Sequence, residues 1–238
     1  MSINIAKKQH IVPGRSLQRF ADDSGLVEAR RLGQLGSFRA RVRNSVFCVN
    51  SVWDHRTEAI QGKRIEDSFQ AIVDRAIASD SFRMTNEESV EITKFFALWL
   101  YRSYAIDYND FGVHPPMTPT VVNGEEKRRY ERLGIGFVDE TGAFPSHVQR
   151  GWFVMGGVMS FLDRHRDARW FTSHASDYEF LIADNPAETL FIPISPNRCF
   201  IAGHDEPSLS PDQCRQANLM TVAGAKRFYC ARDLSRCL

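Results

Sequence analysis

Long apolar runs are what this 238-residue chain most lacks. Its richest stretch, Phe95 to Leu100, falls far short of the roughly 20 residues a membrane-spanning helix needs. The opening Met-Ser-Ile-Asn-Ile-Ala-Lys-Lys-Gln-His has no apolar segment of signal-peptide length, so neither secretion nor membrane insertion is expected. The terminal Cys-Leu is no prenylation box. Cysteine is scarce: Cys48, Cys199, Cys214, Cys230 and Cys237 are odd in number, with neither zinc-site pairing nor the spacing of a secreted framework. They read as reduced thiols of a cytoplasmic protein.

An excess of one charge is also absent. Lys plus Arg number 30 against 29 Asp plus Glu, so a role on nucleic acid or an anionic membrane must come from a local patch. The glycine-rich stretches fit neither a phosphate loop nor a dinucleotide fingerprint. Pro193-Ile194-Ser195-Pro196 lacks the glycines of a nucleophile elbow and reads as a turn. His55, His114, His147, His165, His174 and His204 show no paired metal-ligand spacing, so no metal site is named and the cofactor stays unknown.

What the chain does have is core material: 43% apolar residues, 17 of the total being phenylalanine, enough for residues 1–238 to fold as one domain without a staple. Pro13 biases Val12 away from helix, so Lys7 to Pro13 reads as extended, and Ser16 to Asp22 as a short helix. Phe38, Ala40 and Val42, then Val46, Cys48, Val49 and Val52, alternate well enough for one or two strands. Ile65, Phe69, Ile72, Val73, Ala76 and Ile77 keep a 3.6-residue period and predict a helix over Lys63–Ala78. Thr85-Asn86-Glu87-Glu88 opens a second helix with a capping box, and its apolar positions nearly encircle it, predicting burial on most sides. His-Pro-Pro-Met-Thr-Pro marks a loop projecting over Val113–Thr120. Further helices are expected over Glu125–Leu133, from a Ser146 cap to Arg166, and over Ser210–Val222 with Pro211 in its first turn. Gly156-Gly157 would allow a close helix approach. Between and after the last two, Trp170–His174, Glu179–Ala183, Leu190–Ile194, Arg198–Ala202 and Lys226–Ala231 read as short strands.

Helices gather in the middle and strands towards the end. That segregation predicts an α+β fold, a central helical bundle packed on a small, mainly antiparallel C-terminal sheet. The helical lobe would cover about 55–168 and the β-rich lobe about 169–238, joined by an N-terminal arm over 1–54.

One ordered series of residues stands out. Gln9-His10-Ile11-Val12-Pro13 with Leu17 and Phe20, Ile65-Glu66, Phe95 and Arg102, Asp184-Asn185-Pro186, Pro193-Ile194-Ser195-Pro196 and Asn218 run through nearly the whole chain. In this the chain resembles the DUF4238-like family of uncharacterised bacterial and mobile-element proteins. It departs from that pattern where Ala183 replaces a serine before Asp-Asn-Pro and where Arg102-Ser103-Tyr104 replaces Arg-Thr-Pro. The resemblance implies no reaction, so chemistry has to be read from residue types.

His10 is a candidate general base, since imidazole titrates near neutrality; its alternative is to pack against the helical lobe and fix the N-terminus. Asp184, at a strand end, would hold a metal or activate water; its alternative is an Asx-turn stiffened by Pro186. Glu66 and Arg102 would make an acid–base group and an anion-binding fork, or else a partly buried ion pair joining two helices. Gln9 and Asn185 would orient a substrate. Arg39, Arg41 and Arg43 alternate onto one face of the predicted strand, a basic stripe for phosphates of nucleic acid or for an acidic protein, or the wet side of an ordinary edge.

Two functions follow, from different classes. The first is a hydrolase acting on a phosphate-containing or nucleic-acid substrate, with His10, Asp184, Glu66 and Arg102 catalytic. The second is a non-catalytic protein-binding module, such as a mobile-element inhibitor that sequesters a host defence complex, in which the arginine stripe makes the contact.

Overall fold

The computed structural model describes residues 8–109, 122–133, 135–138, 142–175, 177–186 and 189–238. Their order along the chain is β1 (Lys8–His10), α1 (Gly14–Gln18), β2 (Leu26–Arg31), β3 (Phe38–Arg41), β4 (Cys48–Asn50), α2 (Lys63–Ala78), α3 (Asn86–Asp107), α4 (Gly124–Leu133), α5 (Ser146–Arg164), β5 (Trp170–Ala175), β6 (Ile182–Ala183), β7 (Phe191–Ser195), β8 (Arg198–Ala202), β9 (Ser208–Leu209), α6 (Pro211–Gly224) and β10 (Phe228–Ala231). A π-helix, Arg56–Gly62, runs directly into α2. The fold is α+β. No helix among the described residues is long and apolar enough to cross a membrane.

α3 is the axis of the helical layer. Thr85 accepts from the Glu88 amide and Glu88 returns a bond to the Thr85 amide, so both halves of the expected capping box are present. Ile92, Phe95, Phe96, Ala97, Leu98 and Trp99 are all buried, as encirclement by apolar residues requires. α2 and α5 pack against it. Two indoles tie this layer to the strands: Trp170 Nε1 donates to Thr93 Oγ1 at 2.9 Å and Trp99 Nε1 to the Asp184 carbonyl at 3.2 Å.

The strands form more than the single C-terminal sheet expected. β7-β8-β5-β9 make one four-stranded sheet, antiparallel except for the β5–β9 pair, and β3-β2-β10-β6 make another, antiparallel throughout. β1 and β4 pair separately. The second sheet thus takes two strands from the N-terminal arm. Val27, Ala29 and Ala40 on one face of the β2–β3 hairpin are buried, and pairing of β2 with β10 supplies their cover. The arm also reaches this sheet through the core: Ile11 donates to the Phe47 carbonyl at 3.2 Å, and the Phe47 ring stands edge-on to Phe228 at 5.0 Å. One cluster of buried side chains runs from Ile11 to Cys230 through arm, helices and strands alike.

Local differences have local causes. The first helix is Gly14–Gln18, because Asp22 turns its carboxylate onto the Ser24 and Leu26 amides and starts β2. The strand expected over Glu179–Ala183 shrinks to Ile182–Ala183. There the side chain of Asn218 takes the Leu181 amide and the Glu179 carbonyl, groups a neighbouring strand would have paired. Ser146 makes no cap; Pro145 stands at that position without a side-chain bond. The expected loop Val113–Thr120 lies outside the described residues.

The Gly156-Gly157 pair divides cleanly. A Cβ at Gly157 would fall inside the Tyr101 ring of α3, whereas one at Gly156 would meet nothing within 4 Å. Gly157→Ala should therefore destabilise by about 1–3 kcal/mol through overpacking, and Gly156→Ala should be neutral or stabilise by up to about 1 kcal/mol through helix propensity. Urea unfolding of both variants checks this; equal midpoints for the two would contradict the close approach.

Candidate functional site

The polar residues named from sequence fall into four places. Gln9 is buried, and its amide is fully engaged: Nε2 donates to the Trp53 carbonyl at 2.8 Å, while Oε1 accepts from the Val52 and Trp53 amides at 2.7 and 3.3 Å. It clamps the arm to the segment entering the π-helix. Alternation along β1 turns His10 the other way, half-buried over Gly14, with Nε2 3.3 Å from the Val42 carbonyl. Among the described residues no hydrogen bond joins His10 to Asp184, Glu66 or Arg102.

Glu66 and Arg102 do meet. The Arg102 side chain is 1% exposed; Nη1 donates to Glu66 of α2, and Nη2 to Glu58 of the π-helix at 3.0 Å. Glu58 also accepts from the Trp53 indole at 2.6 Å, and the guanidinium lies 5.3 Å from the centre of that ring. Burial pulls the Arg102 pKa down, but the two carboxylates outweigh it and hold the guanidinium above its ordinary value. The backbone must come close to allow this: a Cβ at Gly62 would sit 2.5 Å from the Thr57 carbonyl and 2.6 Å from Arg102 Nη2. Both fork nitrogens are thus spent on the protein's own acids.

Asp184 is 0% exposed. Its Oδ1 accepts from the Lys226, Arg227 and Phe228 amides at 2.9, 3.1 and 3.4 Å, so it binds backbone amides, but those of a segment over forty residues away instead of a local Asx-turn. Burial pushes its carboxyl above the usual range, against the pull of those amides and of Arg227. Asn185 Nδ2 donates to the Gly224 carbonyl at 2.8 Å. Together the two residues fasten β6 to the turn between α6 and β10.

Arg39, Arg41 and Arg43 are exposed at alternate positions, with Ala40 buried and Val42 half-buried between them. β3 is an edge strand, and Arg39, opposite Glu28 in the register, pairs with Asp22. The hairpin they belong to ends in Leu32-Gly33-Gln34-Leu35-Gly36, where Leu35 is 100% exposed. Gly33 and Gly36 hold φ of 77° and 81°, a backbone that strains other residues and that keeps the tip turned outward.

A further cluster went unnoticed in the sequence. Asp54, Arg56 and Glu131 line a pocket of about 20 Å³, room for about one water, with Ile135, Gly136, Val148 and Trp152. Asp54 Oδ1 accepts from the Thr57 amide at 2.7 Å at the entry to the π-helix, and burial raises its carboxyl above the ordinary range despite that bond. Beside it, His147 Nε2 lies 2.8 Å from Glu131 Oε1. A Cβ at Gly151 would collide with Asp54 Oδ2, so α5 crosses at the one position that admits the carboxylate. The sequence signal was there in part: Asp54 precedes Thr57 as an N-cap residue should, whereas nothing in the spacing links it to Glu131 or His147. A roomier, apolar groove of about 470 Å³ lies between α6 and the β7–β8 pair; His204 lines it, and none of the candidate site residues does.

Among the described residues no group of three or more His, Cys, Asp or Glu is placed to hold a metal. No family model, no curated protein and no solved structure matches this chain, so the resemblance to DUF4238-like proteins rests on its residue series.

Replacing Arg102 tests whether the fork is bonded as described. Arg102→Lys keeps the charge but cannot reach two acids with a planar fork, and should cost about 3–5 kcal/mol, nearly as much as Arg102→Ala. Denaturant midpoints measure it. A lysine variant as stable as the parent would show that charge alone suffices.

Proposed function

We propose that this protein works by binding an acidic protein surface with its β2–β3 hairpin. One observation carries the reading: a fully exposed leucine, Leu35, stands at the tip of a hairpin whose edge strand turns Arg39 and Arg41 to solvent, with Arg43 exposed in the turn that follows. The register sets Leu35 at the tip and Arg41, opposite Leu26, at the base, so the hairpin offers an apolar anchor at one end and basic residues at the other, the leucine supplying buried area and the arginines register and approach rate. Arg39 is already paired with Asp22, which leaves Arg41 and Arg43 as the principal contacts. Leu32 and Leu35 are the exposed large apolar residues of the tip, and neither gives the aromatic platform on which nucleic-acid bases stack. The polar residues first taken as catalytic support this reading by being engaged elsewhere, as internal braces.

The probe is a fluorescent acidic peptide, such as a run of glutamates broken by leucines, titrated at low and moderate salt. The parent protein should bind it, with affinity falling at least tenfold as salt screens the pair. Arg41→Glu/Arg43→Glu and Leu35→Ser should each weaken binding tenfold or more without altering the melting temperature. Unchanged binding in the reversed-charge variant excludes the hairpin. Binding of a single-stranded oligonucleotide in place of the peptide would move the partner to nucleic acid.

A second reading, hydrolysis, is favoured by the pocket lined by Asp54 and Glu131, which sets a buried acid with a raised pKa near a carboxylate that meets the His147 imidazole. Between the ordinary carboxylate value of 3.8 and the raised native one, the native state binds more protons than the unfolded chain. Stability therefore falls as pH rises through that window, and Asp54→Asn should reduce this fall in pH-dependent urea unfolding, leaving the part that the likewise raised Asp184 contributes. The same variant should lose any hydrolysis the parent shows on a panel of esters and phosphoesters. Hydrolysis that persists in Asp54→Asn eliminates the pocket as its source.

A further inference from the structure

The turn Asp184-Asn185-Pro186 contains more polar capacity than its internal bonds use. Asp184 Oδ1 takes three amides, yet its Oδ2 is buried with no hydrogen-bond partner. Asn185 gives Nδ2 to Gly224, yet its Oδ1 is likewise buried and accepts from nothing. On the segment these residues hold, Arg227 Nη1 is a buried donor with no acceptor, 3.8 Å from Asp184 Oδ2 and so beyond direct hydrogen-bond range. Two acceptors and one donor thus stand unsatisfied on one turn and on the strand entry it pins. Each such group costs about 1–3 kcal/mol if left alone, so three on one turn and the strand entry it pins favour a shared partner.

The chemistry of the three groups selects that partner. Two carbonyl-type oxygens repel an anion. A guanidinium nitrogen repels a cation. A neutral oxygen that donates twice and accepts once suits all three, and the smallest species of that kind is water. At 3.8 Å, Asp184 Oδ2 and Arg227 Nη1 are close enough for one oxygen to stand within roughly 2.7–3.2 Å of both. Arg227 also governs access: its side chain is 30% exposed, and its Nη2 donates outward to Asp107 Oδ1 at 2.5 Å.

We propose that Asp184, Asn185 and Arg227 form a binding site for a single buried water, which donates to Asp184 Oδ2 and Asn185 Oδ1 and accepts from Arg227 Nη1. The water becomes the last link between β6 and β10, and Arg227 is the gate through which it exchanges. The Asp-Asn pair then has a reason to be Asp and Asn: one oxygen or nitrogen of each side chain fastens backbone, and the remaining oxygen of each holds the water.

A crystal structure of the unmodified protein at about 1.2 Å tests this, because at that resolution carboxyl bond lengths distinguish a protonated from an ionised acid. The expected result is a density peak within hydrogen-bond distance of all three atoms, with equal C–O bonds in Asp184. Unequal bonds with no peak would mean that a proton on Oδ2 bridges to Asn185, and would overturn the site. So would Arg227 lying directly on Oδ2, or a peak ringed by oxygens at cation distances. In solution, water-to-amide Overhauser transfer at Arg227 and Phe228 should be strong in the parent and lost in Arg227→Met. Transfer of equal strength in both proteins would overturn the role of Arg227 as gate.

Discussion

Burial of the Arg102 guanidinium is the constraint around which the helical half of the molecule is arranged. A cation at 1% exposure cannot stand in an apolar core alone, so acids must be brought to it, and they come from two different elements, Glu58 and Glu66. Glu58 faces Arg102 from the π-helix Arg56–Gly62, and Gly62 lets that backbone pass within contact of the fork. Trp53 then closes over the cation and bonds Glu58, and Gln9 fixes the backbone of Trp53 from β1. A single buried charge thereby links the N-terminal strand, the π-helix, α2 and α3. A π-helix is rare, and here its use is plain: it places a carboxylate where neither partner helix has one.

The same economy recurs across the sheets. Asp184 gathers the amides of residues 226–228, Asn185 the Gly224 carbonyl, and Asn218 the Glu179 and Cys237 carbonyls with the Leu181 amide. Each replaces a stretch of regular pairing by side-chain bonds. This explains why Gln9, Arg102, Asp184, Asn185 and Asn218 are polar and yet buried. Residues of that kind specify where distant segments meet; chemistry on a substrate would need them facing a cleft.

Legibility in the sequence followed the range of the interaction. α2 and the start of α3 were readable because their signals, an apolar period and a capping box, lie within a few residues. β10 and β8 were readable as apolar runs. The π-helix was not, since its cause is a bond from Glu58 to an arginine 44 residues on. Nor was the pairing of β2 with β10, which joins the two ends of the chain. The ion pair of Glu66 and Arg102 was foreseen as a helix–helix link. By contrast, Asp54 and Glu131 carry no mutual spacing, and the fold alone brings them to one pocket, with His147 bonded to Glu131 and α5 passing Asp54 at Gly151. The alternation of Arg39 and Arg41 could be read directly, because a strand's period of two needs no tertiary information, but the strand ends at Arg41, where the Asn44 amide takes its carbonyl and leaves Arg43 in a turn.

What makes the hairpin a better binding element than any other exposed feature is the contrast between its base and its tip. β2 is paired on both sides, by β3 and by β10, and Glu28 accepts from the Leu234 amide at 2.8 Å, so the C-terminal segment is tied to the same strand. Asp22 bonds the start of β2 through two amides and holds Arg39 from the side. A partner that engages Leu35 at the tip and Arg41 and Arg43 at the base meets a backbone already ordered at the base, so the entropy that usually opposes association falls mainly on three side chains and a five-residue tip. The exposed apolar residues near the Asp54 pocket, Ile135 and Trp152, instead border a recess with space for about one water, too small to admit a partner's side chain. Rigidity beneath and exposure above coincide at the hairpin, and it is this coincidence, more than the count of arginines, that assigns it the contact.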